Sequence, residues 1–178
     1  MTKARSIRRE ICRGLVFGMG CAVGATVISA PFASDRSIAA DNAQERPMAD
    51  TRLKDEIHGF LTAYNDAFET FDAPKITPFY HAPCITVRAD GSIHSFQTQS
   101  EIEKFFQGVV EKYSNDGYRS GTFYDLEVVP IGGRSALATL TWEQLKKDKS
   151  ILRKWRHSYN LVRVEGGWKI LTSTFHLA

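Results

Sequence analysis

The chain has 178 residues, 43% of them hydrophobic and 24% charged, enough for one domain with a sizeable core plus an additional segment. Its formal charge is +3, but Lys3, Arg5, Arg8, Arg9 and Arg13 against Glu10 put +4 into the first 33 residues and leave −1 for the rest. That near-neutral remainder excludes nucleic-acid binding on charge, and Cys84, alone beyond the first 33 residues, excludes an internal disulfide.

Residues 1–33 read as an export signal. The basic start MTKARSIRREICRG is followed by the uncharged run GLVFGMGCAVGATVISAPFA. The run is short and Gly-rich, and no apolar tract returns later, which favours a cleaved leader over a membrane anchor. Arg8-Arg9-Glu10-Ile11-Cys12-Arg13 resembles a twin-arginine signal. The general secretory route is the equal alternative and a mitochondrial presequence a lesser one. Ala30, Ala33 and Ala40 are all candidates for the last residue of the leader. Gly18 stands where a lipobox at Cys21 would want Leu. The mature chain is therefore expected to be periplasmic or secreted, with no membrane attachment after cleavage. Residues 34–50, SDRSIAADNAQERPMAD, are small and polar with one Pro and read as a flexible linker. The domain is expected over residues 51–178.

Leu53, Ile57, Phe60, Leu61, Tyr64, Phe68 and Phe71 step by three and four, which predicts a helix with one apolar face, capped by Asp50 or Thr51 and ended by Asp72 to Pro74. Lys75 to Tyr80 suggests a short helical turn broken at Pro78. CITVRADGSIHSF predicts a hairpin around Asp90-Gly91. Ser100-Glu101-Ile102-Glu103 has the pattern of a capping box, followed by a second stripe of Ile102, Phe105, Phe106, Val109, Val110 and Tyr113. The period then falls to two in GTFYDLEVVPI, RSALATLTWEQLK, LRKWRHSYNLVRV and WKILTSTFHLA. Ile131-Gly132-Gly133 and Glu165-Gly166-Gly167 mark tight turns, and Lys146 to Ser150 a polar connection. Helices first and strands after imply an α+β fold, with helices on one face of a curved antiparallel sheet.

From residue 52 to 178 this order resembles the nuclear transport factor 2-like superfamily, known also through SnoaL-like cyclases, ketosteroid isomerase and scytalone dehydratase. The resemblance rests on FLTAYNDAFETFD, on FYHAPCITVRADG and on the ending EGGWKILTSTFH. It implies a cystatin-like cone roll, with a curved sheet wrapped around N-terminal helices and a pocket at the open end. It also implies pairing as a homodimer through the sheet. These motifs specify a fold better than a reaction.

The similarity to ketosteroid isomerase places Tyr64 where that enzyme has its oxyanion-hole tyrosine. Its general base would fall near Arg88 and Ala89, and Asp90 is explained by the turn. No carboxylate stands among the inner-face candidates Trp142, His157 and Tyr159. The similarity to scytalone dehydratase implies histidines and tyrosines lining the cone. On the strand over residues 153–164, Trp155, His157, Tyr159 and Leu161 share a parity, as Thr174 and His176 do on the next. If the hairpin register joins those faces, His157, Tyr159, His176 and Tyr64 line one pocket. A neutral imidazole can abstract a proton, and phenols can hold a developing enolate. His157, Tyr64 and Tyr159 are thus the candidate catalytic residues, and Trp142, Trp155, Thr174 and His176 the candidate ligand-binding residues. The competing reading makes the aromatics a packed core, His157 a hydrogen-bonded interior residue and His176 an exposed one.

His81 and Cys84 have a ligand-like spacing, but two ligands do not make a zinc site, and neither a metal nor a cofactor is expected. Cys84 has no base beside it in the sequence and reads as a buried apolar residue. Arg153, Lys154 and Arg156, with Lys146, Lys147 and Lys149, read as a solvated strand edge. The expected function is an exported domain that binds a small hydrophobic molecule. The alternatives are a cofactor-free dehydratase, isomerase or cyclase, and a non-catalytic dimeric scaffold.

Overall fold

Leu53, Ile57, Leu61, Tyr64 and Phe68 lie on the inward face of one helix, α1, which spans Arg36–Glu69 in a computed structural model that describes residues 36–176. The leader expected over residues 1–33 lies outside the described residues. Helix α1 runs back to Arg36 and does not start at Asp50 or Thr51, so most of the stretch read as a flexible linker is helical. Its Ala, Gln, Glu and Arg are strong helix formers, and their propensity prevails over the small, polar look of the segment. The helix stops at Glu69. Phe71 takes a φ of 54°, and its amide donates to the Phe68 carbonyl at 3.1 Å.

A single turn, α2 (Ala73–Ile76), and a 3-10 turn (Thr77–Phe79) follow, with Pro74 and Pro78 within the first two positions of each, where a missing N–H costs nothing. They lead into β1 (Tyr80–Val87), which pairs antiparallel with β2 (Ile93–Phe96) around the expected Asp90-Gly91 turn. Helix α3 (Gln99–Asn115) buries Ile102, Phe106 and Val110. Its cap is Thr98, two residues before the expected Ser100. The Thr98 hydroxyl accepts from the Glu101 amide at 3.2 Å, and the Glu101 carboxylate reaches back to the Gln97 amide at 2.6 Å. The capping-box logic holds, shifted to Thr98 and Glu101.

The rest is a meander: β3 (Ser120–Pro130), β4 (Ser135–Leu145), β5 (Ile151–Val164) and β6 (Gly167–Phe175). Gly166 and Gly167 have φ of 91° and 122° in the tight turn before β6, which side-chain-bearing residues adopt only under strain. The strand order is β2-β1-β6-β5-β4-β3, antiparallel throughout except for the parallel β1–β6 pair. One extra residue interrupts the pairing at three places: between Tyr124 and Glu127 on β3, at Leu152 on β5 and at Leu171 on β6. Bulges bend a strand and increase its local twist. The core lies between those helices and the concave face, with Leu61, Leu140, Leu161 and Ile170 fully buried.

Candidate functional site

Alternation along β4 and β5 places Ala138, Leu140 and Trp142 opposite Tyr159, His157 and Trp155 on the concave face. Toward the β5–β6 turn, around Leu161 and Ile170, that face is solid core. Toward the β4–β5 turn it opens into a cavity of about 630 Å³, counting the space at its mouth. Tyr64, Tyr80, Trp142, Tyr159, His157 and Ser173 form its polar wall, and Phe68, Phe105, Phe106 and Val109 from the two helices face them. Glu143 and Gln144 belong to the lining as well.

The polar tips of that wall are joined. Trp142 donates its indole N–H to the Tyr159 hydroxyl at 3.0 Å, and the Tyr64 and Tyr80 hydroxyls are 2.9 Å apart. Trp155 donates to His157 Nδ1 at 3.1 Å, and His157 Nε2 is 3.0 Å from Ser173 Oγ. The Tyr64 and Tyr159 rings meet edge-on, with centroids 6.2 Å apart. The indole is a donor only, so Nδ1 of His157 accepts, the proton resides on Nε2, and Ser173 Oγ receives it. The imidazole stacks on Tyr159, with centroids 4.3 Å apart, and meets Phe175 edge-on at 4.4 Å.

Burial, with the neighbouring His176 second, holds His157 down to about 3, so it is neutral at physiological pH. Its one lone pair is already engaged by Trp155. A general base needs a free lone pair within reach of the substrate proton, and His157 does not present one in this arrangement. Burial raises the phenols of Tyr64 and Tyr159 well above their ordinary value, so both remain protonated donors. Glu143, the one carboxylate among the lining residues, accepts from the Tyr124 hydroxyl at 2.8 Å and pairs with Lys154 at 3.4 Å.

The structure thus brings together Tyr64, Trp142, Trp155, His157 and Tyr159. It does not bring in Thr174 and His176, which were expected on the same face. Tyr159 pairs with Ser173 and His157 with Phe175, while Thr174 faces Ser158 on the convex side. His176 is exposed there, its Nε2 2.8 Å from Ser158 Oγ. The cause is Leu171. Counting by twos from Trp168 and Ile170 leads to Thr174 and His176, but the bulge inserts one residue and turns the alternation over. Ser173 and Phe175 were missed for that reason. Tyr80 was visible only as half of an aromatic pair, whereas Gln144 shares the parity of Trp142 and was legible.

Asp90 is a turn residue, accepting from the Ser92 amide at 2.9 Å and its hydroxyl at 2.6 Å. His81 Nδ1 is 3.1 Å from the Pro83 carbonyl, a local contact in β1. Cys84 is buried, and burial pushes its thiol up to about 11, which removes thiolate character. The basic edge is partly paired: Arg153 with Asp116 at 3.2 Å, Lys154 with Glu143, and Arg156 with Glu127.

Residues 55–178 match the model of a family described as NTF2-like protein (DUF6841). Among solved structures, the chain is similar to an NTF2-like protein with a cystatin-like fold from Novosphingobium aromaticivorans, at 14% identity and a TM-score of 0.59, over 81% of this chain and 92% of that one. It is also similar to Aln2 from a Streptomyces species, at 17% identity and a TM-score of 0.58, over 71% and 91%. A domain of unknown function with a cystatin-like fold from Nostoc punctiforme aligns at 16% identity and a TM-score of 0.57, over 73% and 78%. At these identities the likeness is one of fold. Among curated proteins none matches the chain.

Proposed function

We propose that this chain, which belongs to the NTF2-like family, binds a small apolar ring compound in the concave cavity without transforming it. The observation that carries the proposal is the open cavity itself, walled by Phe105, Phe106, Val109, Trp142, Trp155 and Tyr159. Apolar surface left open to water inside a fold gains free energy when a ligand covers it, on the order of 25 cal/mol per Å². Binding is favoured over dehydration, isomerisation or cyclisation by two observations. The His157 lone pair is taken by Trp155, and the Glu143 carboxylate is held by Tyr124 and Lys154.

Two tryptophans in the lining make the test direct. Titration with N-phenylnaphthylamine, a neutral fluorophore, is expected to quench tryptophan emission saturably with one site per chain. Val109→Trp should fill the cavity and abolish that response while leaving the circular dichroism unchanged. Absence of saturable binding to the parent protein rejects the proposal.

A further inference from the structure

The polar wall of the cavity has more protons than bonds to place them in. Trp155, His157 and Ser173, then Tyr80 and Tyr64, then Tyr159 and Trp142 make three hydrogen-bonded groups in one row, whose two ends are indole N–H groups, which donate and never accept. With Trp155 on Nδ1, each of these groups brings one donor hydrogen. Four hydrogen bonds join members of this row, and even a further bond across each of the Ser173–Tyr80 and Tyr64–Tyr159 gaps would leave one link fewer than there are groups. Each link consumes one hydrogen. Whichever way the hydroxyls turn, at least one O–H of Ser173, Tyr80, Tyr64 or Tyr159 lacks an acceptor within the row. All of them line the cavity. A donor left unpaired in such a place is costly, and a ligand acceptor removes that cost.

The opposite deficit stands further along the same wall. Gln144 is 4% exposed, and its Oε1 has no partner among the described residues. Neither end carries a cation. The one ionised group in the lining is Glu143, already neutralised by Lys154, and a carboxylate or phosphate ligand would enter without a counter-charge.

We infer that the cavity selects an uncharged ring compound with two polar ends, a carbonyl-type acceptor against the Tyr64–Tyr80–Tyr159 wall and an O–H or N–H donor against Gln144. The inference rests on the cavity being a ligand site and adds the polarity of what it takes. Occupation completes both hydrogen-bond deficits at once. A hydrocarbon of the same shape completes neither.

The test is a matched series of two-ring probes titrated by tryptophan quenching: a hydroxytetralone with its two polar groups at opposite ends, tetralone, tetrahydronaphthol, tetralin and naphthoate. The hydroxytetralone is expected to bind most tightly, and removal of either polar group to weaken binding roughly tenfold. Naphthoate should be the weakest. Gln144→Leu should lower hydroxytetralone to the level of tetralone and leave tetralone unchanged. Tyr159→Phe should erase the preference for the ketone. The series on the parent protein decides the matter even where that variant fails to fold. If tetralin binds as tightly as hydroxytetralone, or naphthoate more tightly, the cavity is a site but its inferred polarity is wrong. If no probe binds, the cavity reading falls with it.

Discussion

His157 makes folding sensitive to acid, by an amount that follows from its surroundings. Burial holds it at about 3 in the folded chain, against about 6.5 unfolded. The folded value is depressed, and the charged form of this group is the protonated one. Between those two values the unfolded chain therefore takes up a proton that the folded chain refuses. Its contribution to stability is unaffected above pH 6.5 and falls as pH drops from there toward 3. The slope approaches one proton, about 1.4 kcal/mol per pH unit, so the loss from pH 7.5 to 4.5 is about 2.7 kcal/mol. Carboxylates held low, such as Glu56 and Asp116, add their own loss at lower pH and are common to the variant used for comparison. His157→Gln keeps a polar amide near Trp155 and Ser173 but cannot titrate. Urea unfolding of both proteins across this range should give a parent stability that declines more steeply by nearly one proton, whatever the variant's stability at pH 7.5. Equal slopes would refute the reasoning, since they would mean that His157 protonates as readily inside the fold as outside it.

Two further outcomes follow from local geometry. Thr98→Ala removes the hydroxyl that caps α3 and should cost about 1 kcal/mol in urea unfolding, with Thr98→Ser restoring most of it. Gly121→Ala would place a methyl 2.2 Å from Asn65 Oδ1 and displace the amide that donates to the Gly121 carbonyl at 3.2 Å. A loss of about 1–3 kcal/mol is expected. In an Asn65→Ala background the same substitution should cost clearly less, and equal costs in the two backgrounds would rule out this clash as the cause.

How far the molecule could be read from its residues differs from element to element. The stripes of Leu53 to Phe68 and of Ile102 to Val110, the Asp90-Gly91 turn and the four long alternating segments announced their elements, because burial on one face imposes a period that local propensity supports. The α+β order followed from them. The start of α1 at Arg36 was not readable from hydrophobic pattern, since that stretch carries no such stripe. The cap moved from Ser100 to Thr98 because either hydroxyl has an acid three residues on, and a two-residue shift in where the helix begins selects the pair.

The site shows the same division more sharply. Tyr64, Trp142, His157 and Tyr159 were accessible to a count by threes, fours or twos, and all of them line the cavity. Thr174 and His176 failed that count at Leu171, where pairing with β5 admits one residue too many and exchanges the two faces of β6. A bulge is a property of two strands and the curvature they share, so neither strand's residues alone declare it. The proton on His157, the surplus hydrogen of the tyrosine wall and the orphaned oxygen of Gln144 belong to the same class. Residue types and their spacing determined which polar groups this chain owns. Only packing around the cone decided which of them found partners, because a hydrogen bond depends on distances between segments that the sequence does not contain.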